Sequence, residues 1–418
     1  MKLRTIGAAA ALMLSALGSA FAQDKQTVTF MALDVTNFRG ALEQFIGEFE
    51  AENPDIDIVA NFTPDLFTQF VPLLQANNLD DITFISSAAI VPYLSSGRLE
   101  PIPAEFAAKI KTTLFPASLG PVSRGDQVFA VPYNYYPNSG VIMYNKDLWD
   151  EAKLDPGTAT TWEEFMTLAQ TATKKDASGR IIQAGFSAQQ EPVTIYFAWL
   201  LQLGGKPFNA DGTAAFNSDA GRKALQLYAD IYQKWMVDDY EFSATIDGFN
   251  KGQVASTMIG PWYDSMLAKD QPNIRVGHVV QPHLPGVDAS QPNYWALQEV
   301  WAHLVSANGA KKEGTWRFLE FLLRPEIAAR WSAFSGEMPT VAEAVSMPAV
   351  TEIPYIPLYV DALKFGVTKD VPEYLSSDVV TVLQGMLEQV ARGQSTVDDA
   401  LASAEVEVNR LTARMVPN

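Results

Sequence analysis

Not one cysteine occurs in the 418 residues. That single absence removes disulfides, thiolate metal sites and a cysteine nucleophile, and with them a lipid-anchored cysteine behind an export signal. Histidine is nearly missing too. His278, His283 and His303 do not fall at metal-ligand spacing on one element, which leaves no histidine metal centre to expect. Basic residues are outnumbered, 30 against 48 acidic ones, for a formal net charge of -18. A nucleic-acid partner needs a basic face and an anionic membrane surface a basic patch, so both are excluded. The chain also lacks a G-x-S-x-G elbow, a Walker loop, a G-x-G-x-x-G after a strand and an H-E-x-x-H helix, so neither a serine hydrolase nor a nucleotide cofactor is expected. Two facing carboxylates are enough for a glycoside hydrolase, and with 48 acidic residues that class stays open.

The first 22 residues read as a secretory signal peptide: Lys2 and Arg4, an apolar run from Ile6 to Leu17, and the small-residue pattern Ala20-Phe21-Ala22. The apolar run is short of the roughly 20 residues a membrane span needs, and no later stretch approaches one. The expectation is a periplasmic monomer, exported and not lipid-anchored. About 395 residues then remain, enough for two domains.

A β-α-β-α-β rhythm opens the mature chain. Thr27 to Leu33, Ile56 to Val59 and Asp81 to Ile85 read as strands. The helix between the first two carries Leu42, Phe45, Ile46 and Phe49 on one apolar face. Such a rhythm calls for a parallel sheet covered by helices. Thr161-Trp162-Glu163-Glu164 is a capping box, Trp295 to Val305 reads as a strand, and Pro325 opens a helix after Trp316 to Leu323. Two amphipathic helices close the chain, through Val379, Leu383, Met386, Val390 and then Leu401, Ala404, Val408. Trp149, Trp162 and Trp316 sit among helical apolar neighbours and read as core.

The run from Val128 to Trp149 organises the rest. A β-branched strand meets Pro132, which cannot donate to a ladder and marks a place where a strand stops or leaves its sheet. Tyr133, Asn134, Tyr135 and Tyr136 follow. Flat rings with polar tips suit a wet cleft between two lobes, although alternate residues of an extended run must face inward. Trp262 and Tyr263 follow a Gly-Pro turn, where a side chain projects. Sugar rings have apolar C–H faces and hydroxyl rims, and such aromatic platforms beside acidic and amide side chains suit them. Trp301, inside an apolar strand, fits core or cleft equally.

These motifs, in order, resemble a known family: the extracellular sugar-binding proteins of ABC importers, of the family 1 type related to maltose-binding protein. The resemblance rests on Val131-Pro132-Tyr133-Asn134, Tyr144-Asn145-Lys146-Asp147-Leu148 and Thr161-Trp162-Glu163-Glu164-Phe165. It extends through Leu94 to Pro101, Phe249 to Ala255 with Gly260-Pro261-Trp262, Trp316 to Leu322 and Gly336 to Thr340. It implies an α/β, two-lobe periplasmic-binding-protein fold of type II with a ligand cleft and three hinge crossings, near Val131 to Tyr136, Gln298 to His303 and Phe334 to Pro339. Residues 23–132 plus 299–335 would form one lobe and 133–298 plus 336–418 the other. It implies a carbohydrate ligand, delivery to permease subunits, and no catalytic residue, metal or cofactor. The ligand residues it implies are Asp34, Thr36, Asp65, Gln69, Ser86, Ser87, Tyr133, Asn134, Tyr135, Tyr136, Gln190, Glu191, Trp262, Tyr263, Gln298, Glu299, Trp301, Gly336 and Glu337. One departure stands out: Glu299-Val300-Trp301 replaces the family's Gly-Gly before the aromatic, placing a carboxylate where specificity is shaped. A glycerol phosphoester in the same fold is the other ligand class, with Arg39 and Arg124 the only candidate cations near the expected loops.

Overall fold

The computed structural model describes residues 25–138, 140–242, 246–288, 290, 295–365, 367–370 and 374–414; within these, the side chains of 36, 37, 136–138, 295–298, 361–365 and 367–370 stay undescribed. The expected signal peptide therefore lies outside the described residues, as do the side chains of Thr36, Tyr136 and Gln298.

The opening rhythm builds a sheet. Gln26–Leu33 pairs in parallel with Ile56–Thr63 on one side and Ile82–Ser86 on the other, and the helix Thr36–Glu52 covers it with Phe38, Leu42, Phe45 and Phe49 buried. The sheet then turns antiparallel. Trp295–Val305 lies beside Ile82–Ser86, Ala130–Asn138 lies beside that, and Met338–Pro339 closes the edge. All three stretches expected to be crossings are thus hydrogen-bonded neighbours in one sheet.

Pro132 does not end its strand. The pairing with Trp295–Val305 shifts between Trp301 and Ala302, so that Asn134 faces Trp301, Pro132 faces Ala302, and Tyr133 is the extra residue of a bulge. A bulge is one of the few places where proline fits inside a sheet.

A second, smaller sheet has Val141–Asn145 at its centre, flanked antiparallel by Ser256–Met258 and Val276–Val280. Its helices bury a ring cluster in which Trp162 meets Trp199 at 5.1 Å and Phe186 at 5.5 Å. The indole N–H groups of Trp149 and Trp199 donate to the Ala255 carbonyl and to Gln281, so these large rings bury without losing their polar contacts. Trp162–Ala172 starts on the expected capping box, Thr161 and Glu164 each satisfying the other's backbone N–H. Trp316, by contrast, is only half-buried, at the lobe edge against Phe106.

Two large hydrophobic cores result, with a smaller third cluster built on Met143, Phe249, Tyr263 and Leu267. One gathers residues from Val28 to Val141 and from Val300 to Tyr359; the other holds Ile142 to Leu284 and the closing helices, with Val379 to Val408. The chain therefore enters the second core for the last time after Tyr359, later than the 334–339 crossing and the 336–418 lobe assignment anticipate. The reason is packing: Met338, Val341, Val350 and Ile356 are buried in the first core, and the Thr340 hydroxyl donates to the carbonyls of Pro132 and Tyr133. Ion pairs tie the first lobe's helices together. Arg330 forks onto Glu48 at 2.7 and 2.8 Å and holds its carboxyl down at about 2. None of the described helices is long and apolar enough to cross a membrane.

Candidate ligand-binding site

Between the cores lies a cavity of about 420 Å³, within the roughly 300–1,000 Å³ usual for small-molecule sites. The first lobe contributes Leu33 and Val35 at the carboxyl end of a parallel strand, Phe38 on the helix that follows, Glu299 and Trp301 from the crossing strand, and Glu337. The second contributes Glu191 and Thr194 at the start of the helix Pro192–Gln202, and Trp262 and Met266 on the helix Trp262–Asp270. The carboxyl ends of sheet strands and the amino ends of helices meet here, the usual place for a ligand in an α/β protein. Trp262 packs against the first core and against the small cluster of Phe249, Tyr263 and Leu267, so one ring spans the two lobes.

The polar part is acidic. Burial and the charge of Glu299 push the Glu191 carboxyl up to about 7, opposed by hydrogen bonds from the Gly260 backbone N–H and the Trp262 side chain. Glu337 is 1% exposed; burial, with Glu299 beside it, lifts its carboxyl well above the ordinary range. Its Oε2 has no hydrogen-bond partner. Glu299 accepts from the Ser86 hydroxyl. Trp301 is held by three rings, Phe84 at 5.3 Å, Phe38 at 5.7 Å and Phe67 at 5.8 Å, and is largely buried where it meets the cavity.

Of the residues singled out from sequence, the structure brings Glu191, Trp262, Glu299, Trp301 and Glu337 together around this cavity, with Ser86 directly behind Glu299. Others it places elsewhere. Tyr133 is fully buried inside the first core, between Trp331, His303 and Phe84. Asn134 is equally buried, and Tyr135 packs on Phe115 at 5.1 Å. Sheet neighbours on both sides of their strand cover these residues. Tyr263 is buried because Trp262–Asp270 is a helix rather than a projecting loop, and its hydroxyl donates to Asn250. Ser87 is buried and accepts from the Val300 amide at 3.2 Å. Asp34 is taken up by Arg39 at 3.3 Å; Asp65 and Gln69 are exposed and Gln190 half-buried, away from the cavity wall. Gly336 ends the helix Pro325–Ser335 with φ +75, where an added Cβ would lie 2.5 Å from the Tyr355 hydroxyl; its role is closure, not lining.

Sequence reasoning missed Leu33, Val35, Phe38, Thr194 and Met266. Phe38 was detectable, for it sits four residues before Leu42 and seven before Phe45, on the stripe that marks the first helix. Thr194 and Met266 carry no such signal.

Two lobes clasping an aromatic, acidic cleft define a solute-binding protein. The chain matches the model of the bacterial extracellular solute-binding proteins over residues 35–329 and belongs to that family. It is 23% identical over 311 residues to a putative binding protein of Brucella abortus, covering 72% of each chain. It is also 24% identical over 367 residues to the sn-glycerol-3-phosphate-binding periplasmic protein UgpB of Shigella flexneri, covering 81% of this chain and 79% of that one. Among solved structures it resembles a solute-binding protein of an ABC transporter from Thermotoga lettingae, bound with alpha-D-tagatose. There the TM-score is 0.76 at 21% identity, over 93% of this chain and all of that one.

Proposed function

We propose that this protein captures a carbohydrate between its lobes and delivers it to the membrane subunits of an ABC importer, without chemical conversion. The observation that carries the reading is the cavity itself: Trp262 and Trp301 offer flat faces for sugar C–H groups while Glu191, Glu299 and Glu337 meet hydroxyls, and both lobes contribute. A ligand touching both lobes stabilises the closed state over the open one. The tagatose-bound relative in fold supports a sugar. The family and the periplasmic relative support an exported, permease-coupled binder.

The relative that binds sn-glycerol 3-phosphate favours a second reading, a glycerol phosphoester. The lining argues against it. No lysine or arginine is among the described residues of the cavity wall, and three glutamates are, whereas a phosphate calls for convergent arginines; the helix amino terminus at Pro192 is preceded by the acidic Glu191.

Calorimetry against a panel of sugars, polyols and glycerol phosphoesters, with products checked by chromatography, tests this. Micromolar or tighter sugar binding with intact ligand is the expected result. Cleavage of the sugar, or binding of phosphoesters alone, sinks it.

A further inference from the structure

The polar lining of the cavity is dominated by carboxyl groups. Glu191, Glu299 and Glu337 each bring two carboxyl oxygens, no cation lines the described wall, and the Trp262 side chain already bonds to Glu191. Glu337 is the sharpest case. Its amide is pinned by the Ser335 hydroxyl at 3.1 Å and its carbonyl by the Ser332 hydroxyl. The backbone is thus fixed, the side chain reaches the cavity wall, and Oε2 stays buried without a partner. A buried polar atom left unpaired is a cost that a ligand can lift by donating to it.

The surrounding rings point the same way. Phe38, Trp262 and Trp301 line the same cavity, and ring faces attract cations. A metal ion is a poorer fit: among the described residues, no group of three or more acidic or histidine side chains is arranged to hold one. An ammonium group brings several donors and a charge at once. The chain's net charge of -18 draws cations toward the cleft.

Building on the carbohydrate reading above, we infer that the ligand is an amine-bearing sugar whose protonated nitrogen sits against Glu337 and Glu299, with the ring between the indoles. In the empty cleft Glu337 holds its proton, because burial and Glu299 disfavour its ionised form. Tyr355 also feels the Glu337 charge, and Tyr359 that of Glu191; both phenols stay neutral in the range that matters. An arriving ammonium favours the carboxylate and displaces the proton to solvent. A neutral sugar has no such effect, since the protonated carboxyl can donate to a hydroxyl as it stands.

The test is titration calorimetry of the purified full chain with glucosamine, galactosamine and the disaccharide of glucosamine, against glucose, galactose, cellobiose, N-acetylglucosamine and choline. Each runs in two buffers of different ionisation enthalpy, from about pH 5 to about pH 7, where the amines are charged. The inference expects an amino sugar to bind at least about tenfold tighter than its neutral counterpart, with release of a proton on binding. Glu337→Gln should erase most of that preference, and the wild-type proton count stands even if that variant folds poorly. Neutral sugars that bind as tightly without proton release overturn the inference and leave carbohydrate capture intact. Choline binding without any sugar binding keeps the cation site and overturns the carbohydrate reading. No amine probe binding at millimolar concentration overturns the inference.

Discussion

Ser86 and Glu299 belong to adjacent antiparallel strands, and the Ser86 hydroxyl donates to the Glu299 carboxylate. Ser86 ends a strand of the first lobe and Glu299 lies on the strand arriving from the second, so this bond fixes the charged group of the cleft at the point where the lobes join. Glu299 in turn acts on Glu191 and Glu337 on either side of it. Ser86→Ala removes the donor. Affinity should fall by about 1–3 kcal/mol, the usual cost of losing a hydrogen bond to a charged group, with little change in thermal stability. Calorimetry and a melting curve separate the two; an unchanged Kd means that Glu299 is held by other contacts.

Trp262 tests the cleft from the other lobe. It is half-buried, packs against the first core and the small cluster around Tyr263, and lines the cavity. Trp262→Ala should cost about 2–4 kcal/mol of binding, the range of a central aromatic anchor, while the circular dichroism spectrum keeps its shape. Wild-type affinity in this variant would place the sugar platform elsewhere.

Tyr133 separates core from cleft. Its hydroxyl is buried without a partner among rings of the first lobe. Tyr133→Phe removes an unsatisfied polar group and leaves the ring packing intact, so stability should hold or rise by up to about 1–3 kcal/mol. Ligand affinity should not move. A tenfold weaker Kd would return this residue to the binding surface.

Much of the architecture was legible before any coordinates. Trp295–Val305 matches the strand read from its apolar run, and the Thr161–Glu164 box and Pro325 begin helices where their chemistry says they should. Tyr133 and Tyr135 lie in the core rather than the cleft for a physical reason. Pro132 speaks for an edge or an exit, yet a bulge at Tyr133 lets the strand continue in the interior of the sheet, where both faces are covered. Nothing local distinguishes those two fates. Glu337 was reached only through the family resemblance, and only the fold reveals that it is buried with one carboxyl oxygen unpaired. Distances across the cleft are set by segments far apart in the chain, Glu191 and Glu299 being 108 residues apart, and periodicity carries no information about them.

Asp238 gives a prediction about pH. It is buried in the second lobe, bonded by Gln189 at 3.0 Å and by the Asp239 amide at 2.8 Å, and burial pushes its carboxyl from the ordinary 3.8 up to about 7. Ser187, Gln189 and the Asp239 amide oppose that rise, the Asp239 charge adds a little to it, and the neighbouring Tyr228, Tyr232 and Tyr240 remain neutral throughout. The folded state therefore holds this proton more tightly than the unfolded chain does. Its contribution to stability is fully present below about pH 4, declines as the pH rises, and is gone above about pH 7. Carrying a carboxyl from 3.8 to about 7 corresponds to about 4 kcal/mol at about 1.4 kcal/mol per pH unit. Glu191 and Glu337 add slopes of the same sign, so the comparison must be with a variant. Urea unfolding of the wild type and of Asp238→Asn across this range should show a shallower decline in the variant, the two curves diverging between about pH 4 and about pH 7. Parallel curves would mean that water reaches this carboxyl and that it ionises as it does in the unfolded chain.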